Sequence, residues 1–89
     1  MSIDYNKENK IHKKSIANKT LYLIDDSFNT FDHVIDTLVR VCNHEPLQAE
    51  QCAVLVHYKG KCAVKTGSYD ELKPYCSSLL DAGLSAEIE

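Results

Sequence analysis

Pro46 and Gly60 bracket the stretch that most restricts how this chain can fold. Proline is accommodated at the first position of a helix, where its missing N–H would have no partner, and glycine ends helices by adopting a left-handed backbone. The helix between them, with its body from Leu47 to Tyr58, is apolar over most of its circumference from Cys52 to Val56. That is the pattern of a helix covered on several sides. A chain of 89 residues without a long Gly/Ser or Pro linker has room for one compact domain, and its 44% hydrophobic content suffices for one small core. The remaining segments must therefore supply the cover.

Thr20-Leu21-Tyr22-Leu23-Ile24 is a short β-prone apolar run that stops at Asp25-Asp26-Ser27, a buried strand leading into a loop. Phe31, Val34, Ile35, Leu38, Val39 and Cys42 then recur at the spacing of an amphipathic helix, with Asn29 as the expected N-cap and Asp32 favourable in the first turn. After Gly60, Lys61 to Lys65 form a strand with Thr66-Gly67 as its turn. Ser68 with Glu71 three residues on makes a capping box that opens a third helix through about Ala82. Pro74 conflicts with that helix and should kink it or delay its start. Gly83 ends it, and Leu84 to Ile88 alternate as a last strand. The order β-α-α-β-α-β predicts an α+β two-layer sandwich, a three-stranded sheet with three helices packed on it.

Residues 1–19 are polar, Asn/Lys-rich and without apolar periodicity, so they are expected to form a disordered tail, with residues 20–89 as the folded domain. The tail carries five lysines against Asp4 and Glu8, a charge of +3, which leaves −6 for the rest of a chain whose net charge is −3. An acidic domain argues against nucleic acid as a partner. No apolar run approaches the ~20 residues that cross a bilayer, and no apolar segment follows the N-terminal charges, so the expectation is a cytoplasmic protein without a membrane partner. Cys42, Cys52, Cys62 and Cys76 lie in apolar segments without a C-x-x-C pair, consistent with reduced, buried thiols. Zinc ligands usually come in closely spaced pairs, so a metal site built from these cysteines with His44 or His57 is not expected.

Two acids after the first strand and a histidine near the end of an apolar helix would suit a ligand with a cationic head and a greasy side chain. Taken singly, Asp25 and Asp26 read as turn and capping residues, His57 as a histidine at a helix C-terminus, and Phe31, Val34, Ala53, Val56 and Leu84 as core. Their joint order is more specific. From Thr20 to Glu89 the sequence resembles the ClpS family, small adaptors that deliver proteins with destabilising N-terminal residues to a Clp unfoldase and protease. The family's apolar strand ending in Asn-Asp-Asp, followed by an aromatic and a helix with Val four residues from its start, is matched by Asp25-Asp26-Ser27-Phe28-Asn29-Thr30-Phe31-Asp32-His33-Val34. Its apolar helix ending in Val-His before a Gly and a Lys is matched by Val56-His57-Tyr58-Lys59-Gly60-Lys61, and the leucine opening its last strand by Leu84.

The resemblance implies that Asp25, Asp26 and His57 gather around the free α-amino group of a bound chain. It likewise implies that Asn29, Phe31, Val34, Ala53, Val56 and Leu84 line the pocket for the first side chain, which would be Leu, Phe, Tyr or Trp. The implied partners are N-degron proteins and the N-terminal domain of a Clp AAA+ unfoldase; no cofactor or metal is implied, and the adaptor is expected to be a monomer. The tail either engages the unfoldase pore, as in the family, or is an inert terminus. The chain departs from the family pattern in Asp25-Asp26-Ser27, in Phe31 and Ala53 where methionines are typical, and in a shorter connection from Val64 to Leu72. Two alternatives remain. The C-terminal domain of the ribosomal stalk protein has the same element order but lacks the Val-His pattern, and fold alone does not fix function. A hydrolase using Cys52 or Cys62 with His57 lacks an orienting third residue, and Cys52 and His57 are poorly spaced for one helix face, so no enzyme is expected.

Overall fold

The computed structural model describes residues 19–89. The elements follow in the expected order: β1 (Lys19–Ile24), α1 (Phe31–Cys42), α2 (Pro46–Lys59), β2 (Lys61–Gly67), α3 (Tyr69–Asp81) and β3 (Ser85–Ile88). The sheet is ordered β2-β1-β3, with β1 antiparallel to both neighbours. Leu21 and Leu23 alternate onto the helical side of β1 and are fully buried with Leu38 of α1 and Leu72 and Leu79 of α3. The protein is thus an α+β sandwich with a single described core, and none of its described helices is long and apolar enough to cross a membrane.

Lys19 opens β1, so the boundary of the expected tail moves by one residue, and the rest of that tail lies outside the described residues. Thr66 and Gly67 are strand rather than turn, because Lys19 and Thr20 extend β1 and pair with them. A bulge absorbs one extra residue of β2: Leu21 faces Lys65 while Tyr22 faces Ala63, and Val64 between them packs against the core. Ser68 alone then joins β2 to α3. Its hydroxyl accepts from the Glu71 N–H at 3.1 Å, and the Glu71 carboxylate accepts from the Ser68 N–H at 2.8 Å, closing the capping box. Pro74 does not delay α3, which begins at Tyr69. The carbonyl that its missing N–H would have satisfied belongs to Asp70, an exposed residue that water can serve.

Two other expectations are corrected. The N-cap of α1 is Thr30, whose hydroxyl accepts from the His33 N–H at 3.1 Å, because Asn29 is engaged elsewhere. Helix α2 is covered along Ala49, Cys52, Ala53 and Val56, but Leu47, Val54, Leu55 and Tyr58 are exposed, so its outer apolar face has no cover among the described residues. The four cysteines are free; Cys42 and Cys52 are buried, whereas Cys62 and Cys76 are partly exposed.

Candidate functional site

Because β1 is central and antiparallel to both neighbours, its C-terminal end lies beside the starting ends of β2 and β3. Ile24 pairs with Lys61 on one side and Ser85 on the other. Three chain segments far apart in sequence therefore meet at one edge: the loop leaving β1, the end of α2 with its Gly60 cap, and the Gly83-Leu84 turn entering β3. The Asp25 N–H donates to the Gly60 carbonyl at 2.9 Å, and the Asn29 side-chain amide donates to the Gly83 carbonyl at 2.9 Å. His33 Nε2 donates to the Ala82 carbonyl at 2.8 Å, a second tie between the start of α1 and the end of α3.

Between these segments lies a cavity of about 230 Å³. Its deep wall is apolar and buried, formed by Leu23, Ala53, Val56 and Leu84, with the half-buried Val34 beside them. Phe31, about half exposed, and His57, exposed, stand at the rim with their rings edge-to-face at 5.8 Å between centroids. Asp25, Asp26 and Asn29 complete the lining on the loop side, together with Ile24. All nine residues singled out in the sequence line this one cavity. Leu23 and Ile24 were not foreseen as lining, although as the last residues of the strand that delivers Asp25 they must flank the same opening.

The two carboxylates differ in their surroundings. One oxygen of Asp26 accepts the N–H groups of Phe28 at 2.9 Å and Asn29 at 3.0 Å. The other accepts the Asn29 side-chain amide at 2.9 Å and the Ser85 hydroxyl at 3.5 Å. Burial works to raise the Asp26 pKa, but these donors outweigh it and hold the carboxyl below its ordinary value of 3.8. A carboxylate has about four acceptor sites, so Asp26 is largely committed to shaping its own loop. Asp25 is exposed, and its carboxylate accepts no hydrogen bond among the described residues. His33 and Ser85 were missed in the sequence; their roles depend on the α3–β3 turn lying against the β1 loop, a contact across more than forty residues that no local pattern announces.

The two buried thiols are poorly suited to chemistry. Burial pushes the pKa of Cys52 and Cys42 up, and Cys52 is absent from the cavity lining. Among the described residues no group of three or more His, Cys, Asp or Glu side chains is arranged to hold a metal ion.

The family model for the ATP-dependent Clp protease adaptor protein ClpS matches residues 10–87. The chain belongs to the ClpS family. A curated ClpS adapter from Thermosynechococcus vestitus is 31% identical over 77 residues, spanning 85% of this chain and 82% of the relative. The ClpS adapter of a Nostoc species is 30% identical over 80 residues, spanning 89% of this chain and 82% of the relative. Among solved structures, Agrobacterium tumefaciens ClpS2 bound to L-phenylalaninamide superposes with a TM-score of 0.71 at 18% identity, over 83% of this chain and 96% of that one. At that identity the likeness is one of fold. Membership in the ClpS family sets aside the ribosomal stalk domain as the relative of this chain.

Proposed function

We propose that this ClpS family member binds the N-terminal residue of proteins beginning with Leu, Phe, Tyr or Trp and hands them to a Clp AAA+ unfoldase. One observation carries the proposal: an apolar cavity of about 230 Å³ opens beside two carboxylates and an exposed histidine. An apolar cavity of roughly 150 Å³ is large enough for a benzene ring. This cavity therefore admits one phenyl or branched aliphatic side chain, while an α-ammonium at its mouth reaches Asp25 and His57. The L-phenylalaninamide in the Agrobacterium structure has this chemistry, a free α-amine beside a benzyl group, and supports the same ligand class here.

Burying a Phe or Leu side chain contributes roughly 1.5–3 kcal/mol, and charge-assisted hydrogen bonds of the ammonium contribute roughly 1.5–3 kcal/mol each. Two such bonds and one side chain bring the sum toward micromolar affinity, about 8 kcal/mol, without an extended interface. Acetylation removes the positive charge and two of the three donors. The role is one of binding, with no catalytic step, and delivery requires a further contact with the N-terminal domain of the unfoldase.

Titration of labelled peptides beginning with Phe, Leu, Ala and acetyl-Phe tests the site. Phe and Leu peptides are expected to bind, and Ala and acetyl-Phe peptides to bind at least tenfold more weakly. Equal affinity for Phe and acetyl-Phe peptides would refute amine recognition. Delivery is tested separately, by degradation of a Phe-initiated reporter in the presence of Clp unfoldase and protease; inhibition rather than acceleration would refute it.

A further inference from the structure

The covalent geometry of a bound chain extends this reading beyond its first residue. If the first side chain fills the cavity and its amine sits at the carboxylate mouth, the second Cα lies about 3.8 Å further on, over the rim. Beyond the cavity lining, the rim carries exposed aromatic side chains. Tyr58 is 78% exposed, and its ring meets His57 edge-to-face at 5.4 Å, so it stands one ring beyond a residue that lines the cavity. Phe28 is 91% exposed on the loop that follows β1, where its N–H donates to Asp26 at 2.9 Å. Phe31, His57 and Tyr58 thus form a continuous aromatic strip that runs from the cavity onto the free surface, with Phe28 on the adjoining loop.

Neither Tyr58 nor Phe28 is needed by the core, and neither belongs to the cavity lining. An exposed tyrosine or phenylalanine alone needs no explanation, but two of them beside this cavity offer apolar surface to a residue that follows the first out of it. We propose that Tyr58, with Phe28, forms a subsite that reads the second residue of the bound chain and favours a large apolar side chain there. The inference rests on the N-terminal-residue reading above. Its occupant is set by chain continuity, since the second residue follows the first out of the cavity and across the rim.

Contact on one side of a side chain yields only part of the gain of full burial, so the preference should be roughly three- to tenfold rather than a hundredfold. The experiment uses three peptides that differ only at position two, Phe-Leu, Phe-Phe and Phe-Ser, titrated against the full chain and against Tyr58→Ala and Phe28→Ala. Both replaced side chains are exposed, and circular dichroism melts verify that the variants keep the fold. The wild-type protein should bind Phe-Leu and Phe-Phe about three- to tenfold more tightly than Phe-Ser. In Tyr58→Ala the three affinities should converge on the Phe-Ser value, and Phe28→Ala should reduce the spread in part. Equal wild-type affinity for all three peptides overturns the subsite while leaving recognition of the first residue standing, as does a spread that survives both substitutions. Failure of all three to bind overturns the underlying reading itself.

Discussion

The unequal partners of Asp25 and Asp26 make a prediction that separates architecture from recognition. Asp26→Ala removes one acceptor from two backbone N–H groups, one side-chain amide and, more weakly, one hydroxyl. The Phe28 N–H belongs to an exposed residue and regains its partner from water, while the hydroxyl at 3.5 Å is too long to count for much. That leaves two short, partly buried bonds, both from Asn29, at 3.0 and 2.9 Å. A hydrogen bond to a charged group contributes roughly 1.5–3 kcal/mol, and solvent access places these at the low end, so the loss should be about 3 kcal/mol. For a domain of this size each kcal/mol moves Tm by about 4–8 °C, which predicts a fall of about 12–24 °C.

Asp26→Asn keeps the oxygen that serves the two backbone amides but turns an NH₂ toward the Asn29 side chain, so about half of that loss is expected. Asp25→Ala removes an exposed carboxylate that nothing described pairs with, and its Tm should stay within about 2 °C of wild type, the shift of a surface change under 0.5 kcal/mol. Its affinity for a Phe-initiated peptide should nevertheless fall tenfold or more. Thermal melts followed by circular dichroism, paired with fluorescence anisotropy titrations, read both quantities on the same samples. The reasoning is refuted if Asp26→Ala melts with the wild type. It is equally refuted if Asp25→Ala binds normally while Asp26→Asn loses binding without losing stability.

Three further outcomes are expected. His44 is buried, and this burial, opposed by the nearby Cys42 backbone and reinforced by nearby Lys65, holds its pKa below 6.5. The unfolded chain therefore takes up the proton first: the stability from His44 is complete above pH 6.5 and is lost as pH falls through the lower folded value. Urea melts at pH 7.5 and 5 should show a larger loss for wild type than for His44→Gln, and equal losses would contradict the assignment. Gly60 has φ of 91° with open space where a Cβ would stand, so Gly60→Ala carries backbone strain of about 1–2 kcal/mol without a clash. Because the Gly60 carbonyl receives the Asp25 N–H, the substitution should weaken peptide binding as well as lower Tm. Leu72→Ala, at a residue with no exposure, should cost about 2–5 kcal/mol in chemical denaturation, while a cost below 1 kcal/mol would mean that α3 is not packed on the sheet as described.

How much of this could be read from the sequence follows from the range of the forces involved. The ends of α2 and the start of α3 were legible because Pro46, Gly60 and the Ser68–Glu71 pair act on their own backbone within a turn. The N-cap of α1 was misread by one residue for a reason of longer range. Asn29 has the chemistry of a cap, but its amide is drawn to Asp26 and to the Gly83 carbonyl 54 residues away, and Thr30 takes the position instead. The end of β2 was misread likewise, since Thr66-Gly67 looks like a turn until Lys19 and Thr20 pair with it.

The candidate site was legible only through the joint order of its residues, which matches the ClpS family pattern. Each of its residues carried only a weak local signal, and periodicity alone would have put Val34, Ala53, Val56 and Leu84 into the core. What unites them is that an antiparallel central strand brings its own exit and both neighbouring entries to one edge, so residues that follow β1 and precede β2 and β3 meet whatever the details of packing. The loop leaving β1, tied to the Gly60 and Gly83 carbonyls, then prevents that edge from collapsing onto Leu84 and Val56. The cavity is a consequence of this bracing, and Asp26 is its keystone through Asn29. The acid that the sequence pattern marks most strongly thus has its oxygens turned into the fold, and the freer charge at the mouth belongs to Asp25, the position at which this chain departs from the asparagine of the family pattern.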